Sequence, residues 1–288
     1  MSTRRATIIG FTAILLWSLL ALLTIGTAPV PPLQLNAMTF AMGAGVGLIW
    51  TARRGFGVLR GVPLRVYVFG TAGLFGYHAL YFTAFRLGPD ASTGLIAYLW
   101  PLLIVLLSGL LPSERLQPRH VLGAACGFSG AALIVVQSGH IGANPAALIL
   151  AFLCALTWAG YSVASRAMGA VPSEAVTLFC AATAILSAGA HLAFEDSAWP
   201  IGAYGWASVI ALGLGPVGIA FFTWDIGMKR GNIQTLGAAS YAAPLLSTLA
   251  LIAAGINRLT PALAIAAALI VAGAALAASA STAKSAQD

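Results

Sequence analysis

Ten runs of about twenty predominantly apolar residues, parted by proline, glycine or charge, leave this 288-residue chain few ways to fold. A bilayer core about 30 Å thick is crossed by roughly 20 helical residues, and in lipid only helices and closed barrels satisfy every backbone polar group. The runs are Ala6–Gly26, Leu33–Ala52, Val66–Leu87, Ala91–Leu111, His120–Gln137, Ala146–Ser165, Pro172–Phe194, Tyr204–Ile226, Ile233–Gly255 and Pro261–Ala280. They predict an all-α polytopic membrane protein with ten transmembrane helices. Composition agrees: 7% of residues are charged, against about a quarter in soluble domains, too few to cover a globule of this length. Its covering partner is the lipid bilayer. The net charge of +7 falls between the apolar runs, where it sets topology, so nucleic acid is not an expected partner.

The first run exceeds the apolar core of a secretory signal and lacks a clear cleavage site, so it is read as the first span. Short connections leave no room for a soluble catalytic or regulatory domain. Ten crossings put both termini on one face. If that face is cytoplasmic, Arg4, Arg5, Arg53, Arg54, Arg60, Arg65, Arg115, Arg119, Arg166, Lys229, Arg230 and Lys284 lie inside, and Arg86 and Arg258 lie outside. Such a bias predicts a multi-pass protein of the bacterial inner membrane with both termini in the cytoplasm. Cys126, Cys154 and Cys180 sit in apolar runs without metal-ligand spacing. They are expected to be free thiols, and no metal or cofactor is expected.

The halves repeat. Aligning Pro101 with Pro244, an offset of 143 (244 − 101), matches Gly88 with Gly231, Gly94 with Gly237, Tyr98 with Tyr241, and Arg115-Leu116 and Pro118 with Arg258-Leu259 and Pro261. Gly130-Ala131-Ala132-Leu133 likewise meets Gly273-Ala274-Ala275-Leu276, and Trp17 meets Trp158 at an offset of 141 (158 − 17). Each half holds five runs, an odd number, so the second enters the membrane from the opposite side: a 5+5 inverted repeat. The expected division is a first unit at 1–137, a periplasmic linker at 138–145, a second unit at 146–280 and a cytoplasmic tail at 281–288. Inverted repeats are an architecture of alternating access, in which two halves open a central site to either side; duplication in a static scaffold is the competing reading.

With its five-plus-five repeat, its Tyr-x-x-Pro-Leu-Leu segments at Tyr98 and Tyr241, and its Glu114-Arg115-Leu116 turn echoed at Asn257-Arg258-Leu259, the chain resembles the EamA-type members of the drug/metabolite transporter superfamily. Within that group it is most similar to the bacterial aromatic amino-acid exporters. The resemblance implies a non-enzymatic exporter of small solutes, with Trp, Phe and Tyr as expected cargo and other amino acids, metabolites or drugs as alternatives.

Trp17, Trp100 and Trp158 lie near the middle of their runs, with Tyr77, His78, Tyr81, Tyr98 and Tyr241 at similar depth, whereas Trp50, Trp199, Trp206 and Trp224 fall where membrane interfaces are expected. An indole N–H or phenol O–H at mid-membrane requires a partner that lipid cannot supply. These side chains are expected to face the interior and, with Ser240, to line a solute site. Tyr77, His78 and Tyr81 share one helical face, whereas Tyr98 and Trp100 reach one cavity only if Pro101 distorts the turn. Pro101 and Pro244 cannot donate to the carbonyls of Ala97 and Ser240. With Gly213, Gly215 and Pro216 they are the expected hinges. Gly123 and Gly127 are expected to be close-packing positions.

Mid-depth Asp and Glu are lacking in the runs, which argues against carboxylate-driven proton antiport, and His78 is the central titratable group. Mid-membrane Lys and Arg are lacking too, which argues against phosphorylated solutes. An intramembrane enzyme would need an HExxH, a GxSxG or paired carboxylates; Ser129 lacks the motif context and His140 is expected in a loop. A channel would need rings of one charge or a filter of repeated carbonyls. The expectation is a carrier of a small neutral or zwitterionic solute that needs no obligate protein partner and can act as a monomer.

Overall fold

The computed structural model describes residues 1–88, 91–112, 114–138, 144–256 and 258–285. His140, Asn257, most of the expected linker and the last three residues of the expected tail lie outside that set. The described residues are all-helical: α1 (Thr3–Gly26), α2 (Pro32–Arg54), α3 (Leu64–Leu87), α4 (Ser92–Ser108), α5 (Pro118–Gln137), α6 (Pro145–Ala167), α7 (Ser173–Phe194), α8 (Gly202–Arg230), α9 (Ile233–Ala253) and α10 (Pro261–Ala280). Eight of these are long and apolar enough to cross a membrane. The other two are α3, whose 24 residues include Tyr67, Tyr77, His78 and Tyr81, and α4, which is short.

Local chemistry sets the helix ends. Pro32, Pro118, Pro145 and Pro261 each open a helix, where a missing N–H costs nothing and the fixed φ favours the first turn. Asn144 and Asn232 cap α6 and α9 through their side chains. Arg53, Arg54, Arg86, Arg166, Lys229 and Arg230 fall in last turns, where they oppose the helix dipole.

Large apolar side chains point outward, among them Ile49, Val68, Ile149, Ile185, Leu192 and Val271, while Asn36, Thr51, Ser162, Thr177, Ser187 and Ser240 are buried. This reversal of the soluble pattern is that of a bundle solvated by lipid. The most extensive helix contacts pair α5 with α10, α2 with α7, α3 with α6 and α1 with α8. A Cβ on Gly123 would stand 2.5 Å from the carbonyl oxygen of Gly273, and one on Gly127 2.6 Å from the Tyr241 ring. Both glycines are therefore required for close approach, as expected.

Three helices break where proline or glycine predicts it. Helix α4 is interrupted between Ala97 and Trp100, α9 between Ala239 and Ala242, and α8 widens into a π turn at Gly215–Ile219. A fourth break, at Ser18–Leu19 in α1, has no such residue. There the Ser18 hydroxyl donates to the Leu15 carbonyl at 2.6 Å, a local bond that competes with the helical ladder.

Candidate functional site

The breaks surround a central cavity of about 400 Å³ lined by α1, α2, α3, α4, α6, α8 and α9, within the range of about 300–1,000 Å³ typical of small-molecule sites. Trp17, Tyr77, His78, Tyr81, Tyr98, Trp100 and Trp158 all line it, as does Pro216. Tyr98 and Trp100 share the wall because the α4 helix is broken between them, the distortion that their spacing demanded. Exposed Thr24 and Pro32 stand at the mouth. The mouth lies at the Glu195 end of the bundle, since the Glu195 carboxylate accepts from the backbone N–H groups of Leu33 and Gln34.

Packed rings form the floor. Trp17 lies 5.0 Å from Trp224, 5.7 Å from Trp158 and 6.1 Å from both Trp100 and Phe221, centroid to centroid. Trp17 Nε1 donates to the Pro216 carbonyl at 3.0 Å, within the π turn, so the irregular backbone supplies the acceptor that lipid cannot. Trp224 belongs to this floor. Its sequence position placed it at an interface, but it is 1% exposed and its Nε1 donates to Ser162 Oγ at 3.0 Å. Helix α8 runs on to Arg230 and so draws Trp224 deeper than the expected end at Ile226.

Beneath the floor, polar groups from both halves tie the other end shut. Glu114 Oε1 accepts from Arg166 Nη2 at 2.6 Å and Nε at 3.0 Å, and Oε2 accepts from Gln234 Nε2 at 3.1 Å. Arg166 Nη1 also donates to the carbonyls of Lys229 and Gly231 at 3.0 and 2.8 Å, holding the C-terminus of α8. Asp225 is 2% exposed and adjacent to Trp224, a buried carboxylate toward the end of the eighth expected run rather than at its middle. Its Oδ2 lies 2.8 Å from Lys229 Nζ, which donates to the Val171 carbonyl at 3.0 Å. At the mouth end Arg86 Nη2 pairs with Glu195 Oε1 at 2.7 Å, and His191 Nδ1 lies 3.1 Å from Oε2. Arg86, one of the two exceptions to the charge rule, is thus a paired cation.

Tyr241 and Ser240 do not line the cavity. Tyr241 is fully buried, and its hydroxyl accepts from the Leu102 N–H at 3.0 Å; Ser240 Oγ donates to the Leu236 carbonyl at 2.7 Å. Leu102 follows Pro101, so Tyr241 satisfies a donor that the broken α4 ladder releases. Its repeat partner Tyr98 instead faces the cavity. Pro101, Pro244, Gly213 and Gly215 also lie off the lining, at or beside the helix breaks. The sequence reading missed Asn36, Thr39, Phe82, Phe221 and Ser247 on the walls. The repeat held a signal for Phe221, which matches His78 at the offset of 143 (221 − 78).

The sequence profile of the EamA-like transporter family matches residues 4–136 and 145–279. A curated relative, the aromatic amino acid exporter YddG of Ancylobacter novellus, is 55% identical over 274 residues, covering 93% of this chain and 95% of that protein. The exporters of the same name from Salmonella typhimurium and Escherichia coli are 27% and 25% identical, each alignment covering 86% of this chain and 88% of the relative. A solved crystal structure with 55% sequence identity superposes with a TM-score of 0.92, covering 96% of this chain and 97% of that one. With both halves matched, this multi-pass membrane chain belongs to the EamA-like transporter family.

Proposed function

We propose that the chain is a secondary transporter that exports amino acids, aromatic ones foremost, across the bacterial inner membrane by alternating access. The observation that carries the reading is a cavity lined with aromatic side chains from both halves, open at one end of the bundle and closed at the other by packed tryptophans and the Glu114–Arg166 network. The ring-lined walls suit an apolar or aromatic side chain, and the names of the relatives support the same cargo.

Ten spans in a 5+5 inverted repeat are supported by helix pairing as well as by the matched prolines. Under the exchange of each helix with the one five places on, α2–α7 and α5–α10 map onto themselves, and α3–α6 maps onto α8–α1. The arginine distribution supports cytoplasmic termini. The Asn232 N–H donates to Thr7 Oγ1 at 2.9 Å, so the N-terminus shares the closed end with the Glu114–Arg166 network. With the termini inside, the mouth faces the periplasm. Opening to the cytoplasm then requires the network to part and α4, α8 and α9 to bend at Pro101, the Gly213–Pro216 segment and Pro244. The chain carries out this cycle as a monomer.

Uptake of labelled Trp, Phe and Tyr into proteoliposomes, with and without a pH gradient, tests the cargo. Saturable uptake of at least one is expected; failure of all amino acids to show it overturns the reading.

A further inference from the structure

The cavity's polar atoms are sorted by what they can do. His78 Nδ1 lies 2.7 Å from the Leu74 carbonyl oxygen. A carbonyl only accepts, so Nδ1 carries the proton, and in the neutral ring Nε2 is left as an acceptor with no hydrogen to give. Trp100 and Trp158 are the reverse case, since an indole nitrogen only donates. Trp17 and Trp224 spend their N–H groups inside the protein. Among the described residues those of Trp100 and Trp158 have no acceptor, nor has His78 Nε2 a donor, and none of the three is among the sealed unpartnered polar atoms. Each is therefore reachable from the cavity that these residues line.

The residues that carry these atoms share neighbours. The Tyr77 ring lies 5.1 Å from His78 and 5.3 Å from Trp158, and Phe221 lies 6.3 Å from His78 and 5.7 Å from Trp158. His78 and Trp158, with Trp100 6.4 Å from Trp158, therefore border one stretch of the cavity wall. No carboxylate, lysine or arginine lines the cavity among the described residues. Charge on the solute must therefore be met by neutral acceptors and donors. Tyrosine hydroxyls can play either part and so discriminate little.

We propose that the cavity reads a zwitterionic head: His78 Nε2 accepts a hydrogen bond from the solute ammonium, and the Trp100 and Trp158 N–H groups donate to its carboxylate. This deepens the transport reading above and rests on it.

The test uses the full chain in proteoliposomes, with labelled L-phenylalanine competed by unlabelled L-phenylalanine, phenethylamine (ammonium only) and 3-phenylpropionate (carboxylate only). His78→Phe keeps a planar ring and removes the acceptor. It is expected to weaken competition by phenylalanine and phenethylamine about ten- to a hundredfold, the range of a hydrogen bond to a charged group, with 3-phenylpropionate changing less than about threefold on that scale. Trp158→Phe is expected to produce the opposite split, and His78→Gln, which restores an acceptor, to recover phenethylamine. Where a variant's uptake falls below detection, the same ranking is read from the shift in melting temperature that each compound produces. Equal losses for both single-charge probes, or no loss for either, overturn the proposal. Absence of saturable phenylalanine uptake by the wild type would instead sink the transport reading.

Discussion

Glu114→Gln tests whether the polar network holds the closed end of the bundle shut. The wild-type carboxylate takes two N–H groups from Arg166 and one from Gln234, and both members of the ion pair are mostly shielded, with side chains 12% and 20% exposed. The amide keeps one acceptor but loses the charge, and its NH₂ group faces donors. A hydrogen bond to a charged group contributes about 1.5–3 kcal/mol, so the closed arrangement should lose about 2 kcal/mol, or roughly thirtyfold in the closed-to-open ratio. Hydrogen–deuterium exchange reads this directly, because local opening sets the rate. Peptides spanning 225–236 and 160–168 should exchange roughly thirtyfold faster in the variant, while those around Leu33 and Glu195 at the mouth should not change. Unaltered exchange at the closed end would refute the latch, and equal acceleration at both ends would make Glu114 a general stabiliser instead.

The unequal roles of the two repeat tyrosines predict that Tyr241→Phe strands the Leu102 N–H and costs about 1–3 kcal/mol, seen as a lower melting temperature in detergent, whereas Tyr98→Phe leaves that temperature nearly unchanged. Gly123→Val should prevent α5 from meeting α10 at Gly273 and cost several kcal/mol, of order 2–4, by overpacking and separation, measured as loss of folded protein on size-exclusion chromatography. Replacing Tyr77, Tyr81 or Trp100 singly by Ala should lower amino-acid uptake while membrane insertion persists; wild-type rates in all three would move the solute site elsewhere. Single cysteines at Arg54 and Arg258 should label from the cytoplasmic and periplasmic sides respectively with an impermeant maleimide, and the reverse pattern would invert the topology.

Eight of the ten expected spans were legible because lipid permits few alternatives to a long apolar helix, and the breaks at Pro101, Pro244 and Pro216 because proline cannot donate to the ladder. The break at Ser18 was not, since no proline or glycine marks it and the bond of its hydroxyl onto Leu15 is one that Thr12 makes onto Ile9 without interrupting the same helix. The position of a residue in its run gave its expected depth, Trp224 excepted; the direction of its side chain around the helix it did not give. Hence the rings of α3 and Trp17 reached the cavity as expected, while Asn36 and Thr39 on α2 depended on how α2 packs against α7 and α8. Tyr241 was misplaced for a related reason. The repeat equates it with Tyr98, but the two occupy unlike surroundings, one against a broken helix and one against the cavity. Glu114 and Arg166 lie 52 residues apart, and nothing local announces that two loop-end charges will meet.

Alternating access through this cavity is tested most directly by counterflow. Proteoliposomes preloaded with unlabelled phenylalanine and diluted into a trace of labelled phenylalanine should accumulate label transiently above equilibrium, because a carrier returning from efflux brings solute back. A linear, unsaturable approach to equilibrium with no overshoot would identify a pore and contradict the account.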